Sequence, residues 1–365
     1  AMKMQNDFEA KLKGNPFPEF TLTDLSGTTH TSESIKGKVV VINLWFTACA
    51  PCIHEMPELN KIVDAYKEIE GALESINDKL NYHLNKDFKG RINGDNPDDM
   101  STKYYGNGNV KPVKKSESHG THVAGIIASE RNNGLGANGV ANNVEIMAVR
   151  TVPNGDEYDK DVALAIRYAV DNGAKIINGS FGKYYSTHSD WVRDAITYAG
   201  KHDVLFIIAA GNEGKDLDTV AVYPNDQVDN GSEVSDTFLT VGALEPKYGS
   251  NMVAGFSNYG KINVDVFAPG AKVYSSTPEN EYDTKGGTSM AAPAVAGVAA
   301  LIRSYYPSLT AAQVKRVLMD SGLAAQTKVV AGGDTNNVKP FGDLTKSGKM
   351  VNAYNALIMA SHMAK

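Results

Sequence analysis

A hydroxyl, an imidazole and a carboxamide stand out in this chain because of their surroundings. Ser289 lies in Gly286-Gly287-Thr288-Ser289-Met290-Ala291-Ala292-Pro293, which runs on into the Ala-rich apolar segment 294–302. Apolarity on all sides predicts a helix buried in a domain, with Pro293 in its first turn. A serine at that helix start meets unpaired backbone N–H groups and the positive end of the helix dipole. Both suit a nucleophile whose attack creates an oxyanion, although a serine there also serves as a plain cap. His119 opens a second small-residue helix, His119-Gly120-Thr121-His122-Val123-Ala124-Gly125. A placed imidazole acting as base is worth ~100- to 10,000-fold, and Ser289 needs one near neutral pH. His122, one turn later, reads as a packing or hydrogen-bonding residue. Asn212 sits in Ala209-Ala210-Gly211-Asn212-Glu213-Gly214, after the apolar run Val204-Leu205-Phe206-Ile207-Ile208. That run predicts a buried strand, and an amide at its end is either a turn residue or an oxyanion donor.

A second kind of chemistry lies near the beginning. Lys38-Val39-Val40-Val41-Ile42-Asn43-Leu44-Trp45-Phe46 predicts a buried strand, and Cys49-Ala50-Pro51-Cys52 follows it. The next residues, 55–66, have helical spacing, so Cys49 falls at a helix start that favours its thiolate. These are the chain's two cysteines, so there is no disulfide framework, and no cluster has zinc-ligand spacing.

The elements that must position these groups follow from the pattern. Residues 15–27 read as a short strand and a turn, and residues 69–84 as a helix with Leu73, Ile76, Leu80 and Leu84 on one stripe. Residues 85–118 form a long polar loop rich in Gly, Asn and Asp. Strands are expected at 144–150, 175–178, 204–208, 238–241 and 264–267, with helices at 161–172, 191–202, 310–321 and 351–361. Alternation of this kind implies an α/β fold with a mainly parallel sheet covered on both faces. Sites in such sheets lie at the carboxyl ends of the strands, where Asn178-Gly179-Ser180 and Gly211-Asn212 fall.

The 365 residues, 42% hydrophobic and 21% charged, describe an ordinary globular composition. A net charge of −6 argues against nucleic acid as partner, and no apolar run is long enough to span a bilayer. No leader pattern opens at Ala1, so a targeting segment is expected to have been removed ahead of it.

Base, amide donor and nucleophile, in that chain order, resemble the subtilisin-like serine proteases. The resemblance implies His119 as general base, Asn212 as oxyanion donor and Ser289 as nucleophile. It further implies a three-layer fold for residues 69–361, a tail at 362–365, secretion or a bacterial envelope location, and a polypeptide substrate. Ser180-Phe181-Gly182 is similar to the family's substrate-pairing segment, although the family has a larger residue where Gly179 stands. Val222, before Tyr223-Pro224, matches the base of the primary specificity pocket, which valine would shorten and keep apolar. The loop Arg131–Gly139 is similar to one that binds calcium in some members, but it offers no carboxylate and reads as a plain turn. No cofactor is therefore expected, with calcium left open. Residues 1–68 resemble the first half of the thioredoxin-like proteins of the bacterial envelope, a partial βα unit without the facing proline loop. Cys49 and Cys52 are accordingly expected to be idle in disulfide exchange on proteins.

One residue of the protease pattern is missing. The family ends its first strand with an aspartate that orients the histidine. Here the nearest string, Asp24-Leu25-Ser26-Gly27, lies at a turn of the thioredoxin-like part. Asp95, Asp98 and Asp99 lie in the polar loop, with no strand before them. The chain reads as a hybrid joined near Ile69, with Val39–Phe46 expected to take the place of the missing strand. Three functions stay open: a serine endopeptidase impaired by the absent aspartate, a catalytically silent scaffold, and a thiol–disulfide oxidoreductase through Cys49 and Cys52.

Overall fold

A computed structural model describes residues 19–23, 27–36, separate helical positions between 55 and 83, and residues 84–88, 93–152, 155 and 157–364. Val39–Phe46, with the sheet position expected for it, and Cys49 and Cys52 lie outside the described residues. The chain divides into two compact units, Ala1–Ile76 and Asn77–Lys365.

In the first unit, β1 (Thr21–Thr23) and β2 (Thr29–Thr31) form an antiparallel hairpin. Gly27, at φ +86°, supplies the left-handed conformation of its turn. The described positions from Glu55 to Ile76 are helical, and Ile62, Ile69, Leu73 and Ile76 are exposed. In the second unit Leu80 and Leu84 are exposed too, and Lys79–His83 winds as a π-helix. The expected stripe is thus helical, but its apolar residues stay in solvent. Spacing fixes which residues share a face, not whether anything covers that face.

The second unit is built on a six-stranded sheet. Its strands are β3 (Ile176–Gly179), β4 (Leu205–Ala209), β5 (Phe238–Leu244), β6 (Val266–Pro269), β9 (Leu323–Ala324) and β12 (Lys349–Met350). The order is β3-β4-β5-β6-β12-β9, parallel throughout except for β9. Two antiparallel hairpins stand outside it, β7 (Val273–Thr277) with β8 (Glu281–Lys285), and β10 (Lys328–Val330) with β11 (Val338–Pro340). The helices are α1 (His119–Ala128), α2 (Asp159–Asp171), α3 (Ser189–Lys201), α4 (Thr288–Tyr305), α5 (Ala311–Asp320) and α6 (Ala353–Met363).

The period of two along β4 sorts its side chains between two cores. Leu205, Ile207 and Ala209 face one side, with Ala292, Val295, Ala299 and Ile302 of α4. Phe206 and Ile208 face the other, with Val162 and Ile166 of α2 and Val192 and Ile196 of α3. Three layers result, with α4 buried along most of its length. Thr310 caps α5 through a reciprocal box with Gln313. The last helix extends to Met363, so the first two residues of the expected tail are helical.

Residues 144–150 are not a strand. The segment is irregular, and Ile146 and Met147 are exposed at 46% and 42%. A β-branched run becomes a strand when a neighbour completes its hydrogen bonds, and β3 pairs only with β4 among the described residues. The long polar loop is held down by charge as well as by Met100, which packs against the core between the sheet and α2 and α3. Lys160, fully buried on α2, pairs with Asp95 at 2.7 Å and donates to the Asn96 carbonyl at 2.9 Å.

Candidate active site

Ser289 is the second residue of α4, and Asn212 lies three residues beyond the end of β4. Thr288 joins the two. Its N–H and hydroxyl both donate to Asn212 Oδ1, at 2.8 and 3.0 Å, while its hydroxyl accepts from the Gly211 N–H at 3.0 Å. Gly211 needs no side chain here, at φ +102° with the Asn258 amide 2.4 Å from where a Cβ would stand. Because two donors hold Oδ1, the Asn212 amide has one orientation, with Nδ2 as its outward donor. Asn212 is exposed, and no described group accepts from that Nδ2. The adjoining Glu213 carboxylate accepts from the Asn212 N–H at 2.9 Å and from Tyr184 Oη at 2.5 Å. Burial, then the bond to Glu213, pushes the Tyr184 phenol up to about 12.

The expectation for Pro293 is corrected: it stands in the second turn of α4, not the first. Its missing N–H leaves the Ser289 carbonyl without the usual i+4 donor. Ser180 Oγ fills that vacancy at 2.8 Å, and Ser289 Oγ donates in turn to the Ser180 carbonyl at 3.2 Å. Asn178 Nδ2 donates to Ser180 Oγ at 2.9 Å. Ser180 therefore abuts the nucleophile candidate through both its backbone and its side chain. Gly179 departs from the family pattern for a packing reason, since a Cβ there would stand 2.7 Å from the Phe206 ring.

His119 begins α1, which packs on α4 through Val123, Ile126 and Met290. Both helices thus contribute their N-terminal ends, but no hydrogen bond joins His119 to Ser289. Enclosure by protein atoms, then the positive charges of Lys285 and His122, hold the His119 pKa below the ordinary 6.5. The residue's surface remains exposed. Lys285 points the same way as the enclosure, and no described carboxylate opposes it. The three acids of the polar loop named above are each engaged elsewhere: Asp95 with Lys160, Asp98 with His188 at 2.9 Å, Asp99 with Ser101. His122 is fully buried, with Nε2 3.1 Å from the Asp283 carbonyl.

Val222 adjoins the Ser180–Gly182 segment, its Cγ2 3.7 Å from where a Gly182 Cβ would be. It also lines a cavity of about 290 Å³ whose walls include neither Ser289 nor Asn212. Arg131 places a guanidinium on the Gly139 carbonyl, and the side-chain oxygens of Asn138 and Asn133 accept from the N–H groups of Asn132 and Leu135. A loop holding its own cation, with those oxygens used internally, does not fit calcium. Among the described residues no three His, Cys, Asp or Glu side chains converge as metal ligands. No helix among them is long and apolar enough to cross a membrane.

A mainly parallel α/β sheet, a serine at the start of its central buried helix and an amide held at a strand end are brought together here. The chain belongs to the subtilase family, whose model matches residues 72–346, while the Redoxin family model matches residues 12–72. It is 42% identical to the thermophilic serine proteinase of Bacillus sp. (strain AK1) over 51% of this chain and 43% of that protein. It is 36% identical to thermitase of Thermoactinomyces vulgaris over 60% of this chain and 70% of thermitase. A solved protease of Pseudoalteromonas arctica PAMC 21717 superposes with a TM-score of 0.54 at 30% identity, covering 66% of this chain and 70% of that one. The chain thus spans less than half of the first of these relatives.

Two contributions were missed from sequence: Thr288 as the lock on Asn212, and Ser180 as partner of the Ser289 carbonyl. The second had a signal, because Pro293 stands four residues after Ser289.

Proposed function

We propose that this chain is a serine endopeptidase in which Ser289 attacks the peptide carbonyl and His119 takes its proton. The Asn212 amide and the Ser289 N–H then stabilise the tetrahedral oxyanion. Unfolded polypeptide is the substrate, laid along Ser180-Phe181-Gly182, with Val222 favouring an apolar residue before the scissile bond. The observation that carries this reading is the Asn212 amide, fixed by Thr288 with Nδ2 turned outward beside the helix end that holds Ser289. A secreted or bacterial envelope location is part of this reading, supported by the likeness to Bacillus proteases, one of them cell wall-associated. No metal takes part in the proposed steps.

Two observations favour a second reading, a silent peptide-binding scaffold: Ser289 Oγ donates to the Ser180 carbonyl, and no described carboxylate meets His119. Labelling separates the two. A fluorophosphonate attaches to Ser289 under the first reading, Ser289→Ala stays unlabelled, and Asn212→Leu slows labelling about 100-fold, the lower end of an oxyanion donor's worth. An unlabelled protein would sustain the scaffold. The oxidoreductase reading rests on Cys49 and Cys52, and reduction of insulin by dithiothreitol tests it separately.

A further inference from the structure

Three stretches of chain meet around Ser289. Ser180 touches it directly, and Asn212 is held to its neighbour Thr288. A further set of contacts joins the Ser180 stretch to the Asn212 stretch, and it runs through Tyr184. Lys183 exchanges backbone hydrogen bonds with Tyr223, at 2.9 and 2.8 Å, which fixes the chain just before Tyr184. Tyr184 Oη donates to Glu213 Oε2 at 2.5 Å and accepts from Asn258 Nδ2 at 2.9 Å. The same Glu213 oxygen accepts from the Asn212 N–H at 2.9 Å.

Asn258 gives the phenol a rigid seat. It is fully buried, its Nδ2 also donates to the Ala210 carbonyl at 2.8 Å, and its Oδ1 accepts from the Lys215 N–H at 2.8 Å. The Lys215 ammonium lies 4.0 Å from the centre of the Tyr184 ring, a cation on an aromatic face. Glu213, by contrast, is exposed, and an exposed glutamate ordinarily spreads over several rotamers. Here one carboxylate oxygen meets two donors, and the charge-assisted bond from the phenol holds it in place. Burial, then that bond, keeps the phenol protonated, so it donates throughout the working pH range. Asn212 is therefore held at both ends, its side chain by Thr288 of α4 and its backbone by Glu213.

We propose that Tyr184 is a positioning residue for the oxyanion donor. Through Glu213 Oε2 its hydroxyl holds the Asn212 backbone, and it ties that donor to the segment on which the peptide is laid. Placement is what such a donor supplies, and a misplacement of about 1 Å costs on the order of 100-fold. The proposal rests on the oxyanion role given to Asn212 above and adds the residue that aims it.

The test is the rate of Ser289 labelling by a fluorophosphonate, measured over a range of reagent concentrations. Tyr184→Phe lowers the maximal labelling rate about tenfold and leaves the half-saturating concentration unchanged. In an Asn212→Leu background the same substitution changes the rate by less than about twofold, because the group it positions is gone. Glu213→Leu, at an exposed site, is slowed as Tyr184→Phe is, and adding Tyr184→Phe to it slows it no further. Glu213→Gln keeps a carbonyl acceptor and recovers most of the rate that Glu213→Leu loses. An equal loss from Tyr184→Phe with and without Asn212 would show a merely structural role and overturn the proposal, leaving the endopeptidase reading standing. An unchanged rate in Tyr184→Phe, or a loss confined to the half-saturating concentration, would overturn it too. If the unsubstituted protein is not labelled at all, the proposal falls together with the endopeptidase reading.

Discussion

Hydrolysis of an activated peptide by the intact chain is expected to run about 3 × 10⁴-fold below an intact subtilisin, the loss that removing the aspartate alone causes in that family relative. The deficit corresponds to roughly 6 kcal/mol of barrier. Without a carboxylate the His119 tautomer is unguided and its charged form unsupported, and the Lys285 ammonium disfavours the imidazolium further. What remains is the oxyanion site of Asn212 and the Ser289 N–H. Ser289→Ala should remove about a further hundredfold, the remaining gap to the fully disabled triad of that same relative. The pH profile carries the sign of the mechanism. His119 acts only when neutral, so the rate climbs as pH rises through a midpoint below 6.5 and levels off above it. Chromogenic-peptide rates from pH 4.5 to 9, with Ser289→Ala as control, check both claims. Equal rates in the two proteins would leave the scaffold reading, and a full subtilisin rate would show that a carboxylate reaches His119.

Asp226→Asn is expected to stabilise the protein by about 4 kcal/mol at pH 8, shrinking to about 1 kcal/mol at pH 4.5. Asp226 is 7% exposed; burial, then repulsion from Glu233, pushes its carboxyl from 3.8 to about 7, despite the attraction of Lys315. Lys315 has nearer partners, Glu233 at 3.0 Å and Asp265 at 3.8 Å. An acid with a raised folded pKa binds its proton more tightly in the folded state. Its cost to stability is absent well below 3.8, grows as pH rises to about 7, and is constant above that. An asparagine never ionises, so the variant escapes the whole cost at pH 8 and little of it in acid. Denaturant unfolding of both proteins at the two pH values measures the difference. A gap that does not change with pH would mean that Asp226 is paired as a carboxylate.

Much of the architecture was legible in local pattern. The runs at 175–178, 204–208, 238–241 and 264–267 are four consecutive parallel strands of the sheet, with ends shifted by a few residues. Helices at 161–172, 191–202 and 310–321 recur as α2, α3 and α5 because their apolar stripes meet the sheet or one another. The same reasoning failed at 144–150 and at the stripe of Leu73, Ile76, Leu80 and Leu84. Both have the right residues at the right period and lack a described partner to complete them.

By itself the sequence determined which groups could react and which ends of which elements would carry them. Ser289, His119 and Asn212 are each marked by small residues beside an apolar element, a local property that needs no distant contact. The tertiary structure decided what each group meets. It gave the Asn212 oxygen to Thr288, the Ser289 carbonyl to Ser180, and Asp95, Asp98 and Asp99 to Lys160, His188 and Ser101. His119 was left near the Lys285 ammonium, with no described carboxylate to balance it. Hydrogen bonds and charge pairs join residues far apart in the chain, over 100 positions in the case of Ser180 and Ser289. Their strength depends on a few tenths of an ångström, and only the packed sheet and helices set distances that finely.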